Sequence, residues 1–454
     1  SQGLRAADSC QILRIAAQLS HLAGMRGVAL AFLALSACAT VPPKPPETPV
    51  SQVGVAFNRS GEVGGFADGL ADPSTGRIVT ADDPVRVASI SKLVVSVGVM
   101  KLVEQGKLDL DRDASGYLGW ELRNPAFASR PITLRQLLSH TSSVRDHHDQ
   151  YAIPLGDTVQ SIMAAPTSWD PRHGPGSGYF KYSNLNFPIV ASIIERVTGQ
   201  RFDLWMRREV IGPMKLDACY NWPTCSDSKV GRAVVLMQSG NAVKDDLGGK
   251  QPDCPVYVET GPCDLARSKL GENGALFAPQ GGLRISMRDL ARVGRMLLNG
   301  GTLDGVRILS PQSVERMLTP VWRYDGKNGD TDHGFYCSYG LATQQIPTAT
   351  RGCKDDPAGD GIPRTGHAGD AYGLRSGLWI DRVNGTGVAY FVTGLSDDPP
   401  RGSSAYRAAE EAALRRSLQS LATGLPCGSR RKRVKEAGHL RCRFAAQTVD
   451  LTPR

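Results

Sequence analysis

Short apolar runs separated by glycine and polar turns open the body of the chain. Val53 to Phe57, Val63 to Phe66 and Ile78 to Thr80 read as strands. A denser apolar run follows (Leu93, Val94, Val95, Val97, Val99, Met100, Leu102, Val103) and stops at Gly106, a residue suited to a helix C-terminus. Thr133 with Gln136 has capping-box form before Leu134 to Ser139, and Ile189, Val190, Ile193, Ile194 and Val197 recur at helical spacing. Ser286 with Asp289 opens a helix to Leu298 that ends near Gly300-Gly301, and Ser310-Pro311 starts another. Strands return after Gly340. Gly373 to Asp381 and Val388 to Thr393 flank Asn384-Gly385, a strong hairpin signal, and Tyr406 to Leu421 reads as a closing helix. Strands at both ends with helices between predict an α+β fold rather than alternating βαβ units. The expectation is one antiparallel sheet flanked by helices, with an all-helical subdomain across a cleft.

Composition divides the chain. Met25-Arg26 followed by apolar Gly27 to Leu35 has the form of a short export signal, which makes residues 1–24 an over-extended start. Leu35-Ser36-Ala37-Cys38 resembles a bacterial lipobox, so Cys38 is the expected lipidation site and membrane anchor. The division expected is a leader at 1–37, a proline-rich tether at 38–52, a folded body at 53–423 and a basic, disordered tail at 424–454. The net charge of +9 resides mainly in that tail, where residues 428–454 hold eight Lys/Arg against two Asp/Glu. The body is close to neutral, which gives no case for nucleic acid. Ten cysteines in an exported chain point to disulfides. Cys219/Cys225, Cys254/Cys263, Cys337/Cys353 and Cys427/Cys442 are the adjacent pairs, although spacing leaves other connectivities open. Residues 217–272, rich in Gly, Pro, Asp and Cys, read as a disulfide-braced excursion at the cleft rim.

Candidate chemistry centres on Ser89-Ile90-Ser91-Lys92. Serine and lysine three residues apart share one face of a helix start, so Lys92 can serve as the base that a serine nucleophile requires. Ser226-x-x-Lys229 and Ser429-x-x-Lys432 repeat the spacing, but neither opens an apolar run. Tyr182-Ser183-Asn184 is the one Tyr-x-Asn; a phenol near cations ionises more easily and can act as a base, and Asn184 can meet both Lys92 and a substrate carbonyl. His367-Ala368-Gly369 is the one His-x-Gly and falls at a sheet edge, where Gly369 lets a substrate backbone approach. Asp146-His147-His148-Asp149 reads as a solvated loop in preference to a metal site. No Gly-x-Ser-x-Gly elbow, His-Glu-x-x-His, Gly-x-Gly-x-x-Gly or Walker-type loop occurs, so no cofactor is expected.

The order Ser-x-x-Lys, Tyr-x-Asn, His-x-Gly resembles the penicillin-recognising serine hydrolases: class C β-lactamases, D-alanyl-D-alanine peptidases, D-aminopeptidases and related esterases. Leu137-Leu138-Ser139-His140-Thr141-Ser142 and Gly281-Gly282-Leu283-Arg284-Ile285-Ser286 are similar to further family motifs, and the likeness covers roughly residues 51–423. The resemblance implies a serine β-lactamase/transpeptidase-like fold. It makes Ser89, Lys92 and Tyr182 catalytic and Asn184, His367, Gly369 and Asp370 substrate-binding, with the backbone N–H groups of Ser89 and Asp370 as oxyanion donors. The implied reaction passes through an acyl-enzyme on small ester or amide substrates, an esterase or D-amino-acid peptidase first and a β-lactamase second. A non-catalytic module of the bacterial envelope is the alternative from a different class. The third motif departs from the usual Lys-Thr-Gly, and Ser143 stands where glycine is common. A partly cationic His367 and a negative Asp370 are expected to favour neutral esters over penicillins.

Overall fold

Ser51–Asn58 lies inside a nine-stranded antiparallel sheet of the computed structural model, paired with Thr386–Thr393 on one side and Glu62–Asp72 on the other. The structure describes residues 47–146 and 151–424, together with the backbone of residues 431–436 and 439–444. The strand order is Trp322–Arg323, Ser338–Tyr339, Gln344–Ile346, Arg364–Ala371, Leu374–Asp381, Thr386–Thr393, Ser51–Asn58, Glu62–Asp72 and Arg77–Ile78. Both ends of the body therefore share one sheet, as the patterning predicts, and the class is α+β.

Helices cover both faces of that sheet. Successive side chains of a strand point to opposite faces. Val53, Val55 and Phe57 enter the main core with the helix Met287–Leu298, whereas Ala56 enters a smaller core with Ala413 and Leu414 of the helix Ala408–Gly424. Double coverage explains why Val53 to Phe57 reads as a continuous apolar run without alternation. The helix Ile90–Glu104 crosses the core with Ile90 to Met100 wholly buried and ends beside Gly106 at φ +68°, the left-handed conformation that glycine adopts freely. Thr133 and Gln136 form the predicted capping box, and Ser286 and Ser310 cap their helices.

Some boundaries differ from the pattern. The strand after Asn384-Gly385 resumes at Thr386, because the Asp381 carboxylate accepts from the N–H groups of Val383 and Asn384 and shortens the loop. Ordered structure begins before residue 53: Glu47 accepts from the Ser396 N–H at 3.1 Å and fixes the end of the tether to the body. Within the basic tail, expected to be disordered, Arg431–Glu436 pairs with His439–Phe444 as a hairpin. Cys219–Cys225, Cys254–Cys263 and Cys337–Cys353 are disulfide-bonded in the adjacent pairing. The leader, Cys38, most of the tether and the Cys427/Cys442 side chains lie outside the described residues.

Gly294 gives a test of the packing. Glycine inside a helix is ordinarily about 0.5–1 kcal/mol worse than alanine. Here an added Cβ would sit 2.3 Å from the Phe57 ring, which fills the notch. We expect Gly294→Ala to reduce the unfolding free energy in urea by about 1–3 kcal/mol, and Phe57→Leu in that background to recover part of the loss. A stabilised Gly294→Ala would show that the ring has room to turn.

Candidate active site

Ser89 occupies the N-cap position of the helix Ile90–Glu104, yet its side chain makes no capping hydrogen bond. A serine at this position usually accepts from the first helical turn. Instead Ser89 Oγ lies 3.0 Å from Lys92 Nζ and accepts from the Tyr182 hydroxyl at 2.8 Å. Three features hold the helix start in place. Ala88 takes φ +46°, the Ser91 hydroxyl donates to the Ala88 carbonyl at 2.6 Å, and the same hydroxyl accepts from the Leu283 N–H at 3.0 Å. Gly369 completes the approach from the sheet: a Cβ there would stand 2.4 Å from the Val87 carbonyl.

Lys92 is fully buried. Its Nζ donates to Asn184 Oδ1 at 2.8 Å and to the Gln280 carbonyl at 2.6 Å. Burial lowers its pKa to about 7 against the opposing charge of Asp146, with Arg86 adding to the decrease. Asn184 is oriented by Asp146, which accepts from the Asn184 backbone N–H at 2.8 Å and side-chain Nδ2 at 3.0 Å. Asp146 also accepts from the Ser183 hydroxyl and the Leu185 N–H. Four donors fill the four acceptor sites of a carboxylate. The sequence grouped Asp146 with two histidines as loop or metal ligand; it is a positioning residue for Asn184, while residues 147–149 lie outside the described set.

Tyr182 is sandwiched between His140, with ring centroids 4.3 Å apart, and Tyr336, 4.7 Å apart. Its expected easy ionisation is overturned: burial raises the phenol pKa above its ordinary value, so the group is held protonated. His367 is also corrected. It is buried, and burial together with nearby Lys92 lowers its pKa to about 3, so it is neutral at physiological pH. Its Nε2 lies 2.7 Å from the Tyr339 hydroxyl and its Nδ1 lies 2.5 Å from the Ala368 carbonyl. Both ring nitrogens are thus used inside the protein, leaving none for a substrate carboxylate. Asp370 is ion-paired with Arg375, and Arg401 and Arg407 line the same cleft, a cavity of about 140 Å³ over Ser89. The charge of Asp370 is therefore countered by Arg375, while Arg401 and Arg407 share the cleft with Asp332 and Glu410, and Arg407 is itself paired with Asp398.

Proton directions in the aromatic cluster can be assigned. His140 Nδ1 accepts from the Ser183 N–H and lies 3.1 Å from Asn186 Nδ2, so Nε2 carries the hydrogen and donates to Tyr339, 3.2 Å away. The Tyr339 hydroxyl then donates to His367 Nε2, and His367 Nδ1–H donates to the Ala368 carbonyl. This chain spans from the helical side of the cleft to the sheet.

Residues 47–413 match the family described as Beta-lactamase. The chain belongs to the Beta-lactamase family. This confirms the resemblance to penicillin-recognising serine hydrolases carried by the three motifs. Among curated relatives of this family member is penicillin-binding protein 4 of Amycolatopsis lactamdurans, 26% identical over 262 residues, 58% of this chain and 63% of that protein. Esterase EstB of Burkholderia gladioli is 30% identical over 171 residues, 34% of this chain and 42% of that protein. The chain thus spans less than two thirds of either relative. Similar solved structures include the octameric penicillin-binding protein homologue from Pyrococcus abyssi, with TM-score 0.59, 20% identity and coverage of 82% of this chain and 73% of that one. The D-amino acid amidase from Ochrobactrum anthropi SV3 also gives TM-score 0.59, at 19% identity and coverage of 82% and 93%.

The structure brings Ser89, Lys92, Tyr182 and Asn184 together and sets Gly369 and Asp370 on the cleft wall. Sequence reasoning missed Asp146, Tyr336, Tyr339 and the Gln280 carbonyl. His140 stood in a quoted motif without a role. The Ser226 repeat is a helix cap: its hydroxyl accepts from the Lys229 N–H. The His367 assignment predicts an imidazole with Nδ1 protonated that does not titrate between pH 5 and 8. Long-range ¹H–¹⁵N spectra of ¹⁵N-His protein read this directly, and a titration near pH 6.5 would show a ring open to solvent.

Proposed function

We propose that this protein is a serine hydrolase that cleaves an ester or amide bond through an acyl-enzyme on Ser89, an esterase or D-amino-acid peptidase in type. The observation that carries this reading is the double contact of Ser89 Oγ with Lys92 Nζ and the Tyr182 hydroxyl. As a neutral amine, Lys92 has two N–H donors and one lone pair. Asn184 and the Gln280 carbonyl take the donors, which leaves the lone pair to accept the Ser89 proton. Ser89 Oγ then bonds to the substrate carbonyl carbon, and the C=O electron pair moves to oxygen.

Two backbone N–H groups suit that oxyanion. One is Ser89's, at a helix N-terminus. The other is Asp370's: N–H groups two residues apart on a strand point the same way, and Ala368's donates to Gln344 Oε1, away from the Leu374–Asp381 strand. Losing one such donor typically costs on the order of a hundredfold in turnover. Collapse breaks the ester or amide bond as the protonated Tyr182 gives its proton to the leaving group and is refilled from the lysine ammonium. Water repeats the sequence on the acyl-enzyme. Relatives named as esterase and D-amino acid amidase support both bond types.

The direct test is mass spectrometry after incubation with an organophosphonate or a slow β-lactam. One adduct on the Ser89 peptide, absent in Ser89→Ala, is expected, and labelling at Ser226 would sink the assignment. The pH profile tests the base. Lys92 must be neutral, so kcat/KM should rise with pH through about 7. Asp146 favours the ammonium, so Asp146→Asn should move that acidic limb to lower pH while also reducing kcat through the freed Asn184. A limb that stays in place would remove Lys92 as the titrating group.

Placement in the bacterial envelope, with Cys38 lipidated and the tether spanning from membrane to body, belongs to the same reading. Three disulfides support an oxidising compartment. Expressed from Met25 in a bacterium, the protein should sediment with membranes, and Cys38→Ser should release it. Equal sedimentation of the variant would point instead to the basic tail.

A further inference from the structure

A second cavity, of about 500 Å³, lies beside the first and is walled by the disulfide-braced excursion. It adjoins the catalytic lysine through Gln280, a lining residue whose carbonyl holds Lys92. Two guanidinium groups, Arg86 and Arg284, are buried in its wall beside a single buried carboxylate, Asp245. Asp245 is committed to Arg284, accepting at 2.7 Å and 3.3 Å, and to the Trp222 indole N–H at 3.0 Å. The Arg86 side chain has no hydrogen bond or ion pair among the described residues although the residue is only 8% exposed, and its Nε is buried without an acceptor. Its neighbour Gln280 likewise has a buried Oε1 without a donor.

An unpaired buried charge is costly and is ordinarily matched by a partner. The described residues of the rim do not supply one: exposed Lys244 and Asp246 oppose each other in charge, and Tyr372 lies under Arg86 with its ring 5.1 Å from the guanidinium carbon. Burial and the like charge of Arg284 lower the Arg86 pKa to about 10, which still leaves the group cationic at neutral pH. Among the described residues the cavity therefore holds one excess positive charge, three residues from the nucleophile.

The side of the scissile bond follows from Tyr182. The leaving group departs toward its proton donor, and Tyr182 stacks on Tyr336, which lines the first cavity with Ser89. The second cavity, across Lys92 and Gln280, then takes the acyl part. From this we infer that the second cavity binds an acyl group bearing a carboxylate, with Arg86 as its anchor, so that the substrates are half-esters or half-amides of dicarboxylic acids or similarly anionic acyl compounds. The inference rests on the hydrolase reading for which side the acyl part takes.

Mono-4-nitrophenyl adipate and 4-nitrophenyl hexanoate share leaving group and chain length and differ in the terminal carboxylate. With Ser89→Ala as blank, wild type should prefer the adipate in kcat/KM by tenfold or more, and Arg86→Gln should collapse that ratio by roughly 10- to 100-fold. Arg86→Lys should restore part of it. Hexanoate turnover without adipate preference, or an unchanged ratio in Arg86→Gln, overturns the proposal and leaves the hydrolase reading intact. Calorimetric binding of adipate dianion to Ser89→Ala needs no turnover and decides the case if neither ester is cleaved: binding lost in Ser89→Ala/Arg86→Gln supports the anion site, and no binding rejects it. Circular dichroism of each variant establishes that it is folded.

Discussion

A lysine amine with no access to water is the constraint on which the site depends. An ammonium ion at Lys92 would need three acceptors and a solvated shell; burial denies the second, and the amine becomes basic enough only for a proton taken from a neighbour. The surroundings then have to specify which neighbour. Asn184 and the Gln280 carbonyl do so by occupying the N–H donors, and Asp146 does so at one remove, because an amide can present oxygen to Lys92 only while its nitrogen has an acceptor of its own. A carboxylate with all four sites filled provides that acceptor and cannot turn away.

The second requirement is that a helical wall and a sheet wall keep register across a cleft. The chain from Ser183 through His140, Tyr339 and His367 to the Ala368 carbonyl connects them with neutral groups. Neutral links suit a site that already holds an amine of tuned basicity. A cation at His367, the arrangement the His-x-Gly motif suggested, would depress Lys92 further and compete for the same electron-rich partners. The histidine serves as a strut, and the recognition of charge falls to guanidinium groups elsewhere in the cleft.

Much of the fold was legible because it rests on local signals. Capping residues before apolar runs located three helices, apolar spacing located others, and short β-prone runs at both ends of the body implied a shared sheet. Ser89, Lys92, Tyr182 and Asn184 were legible as a motif set, since the chemistry demands those residue types at those spacings. Asp146, Tyr339 and Arg86 were not. Each acts through a partner distant in sequence, Asn184, His367 and the second cavity respectively, and no spacing rule encodes such a contact. The protonation states were illegible for the same reason: Tyr182 and His367 titrate according to burial, which exists only after the walls have closed.

The position of Ser51–Asn58 inside the sheet has a consequence for how the protein is made. Ser51 and Thr393, whose hydroxyl groups meet at 3.0 Å, are 342 positions apart in the chain. A strand in the middle of a sheet cannot be completed until both neighbours have been synthesised, and pairing over such a separation is slow. The nucleophile leaves the ribosome some 280 residues before Gly369 and Asp370. No nascent fragment that stops short of Gly369 holds both halves of the catalytic cleft, so the reactive serine lacks its full surroundings until the strand Arg364–Ala371 has been made.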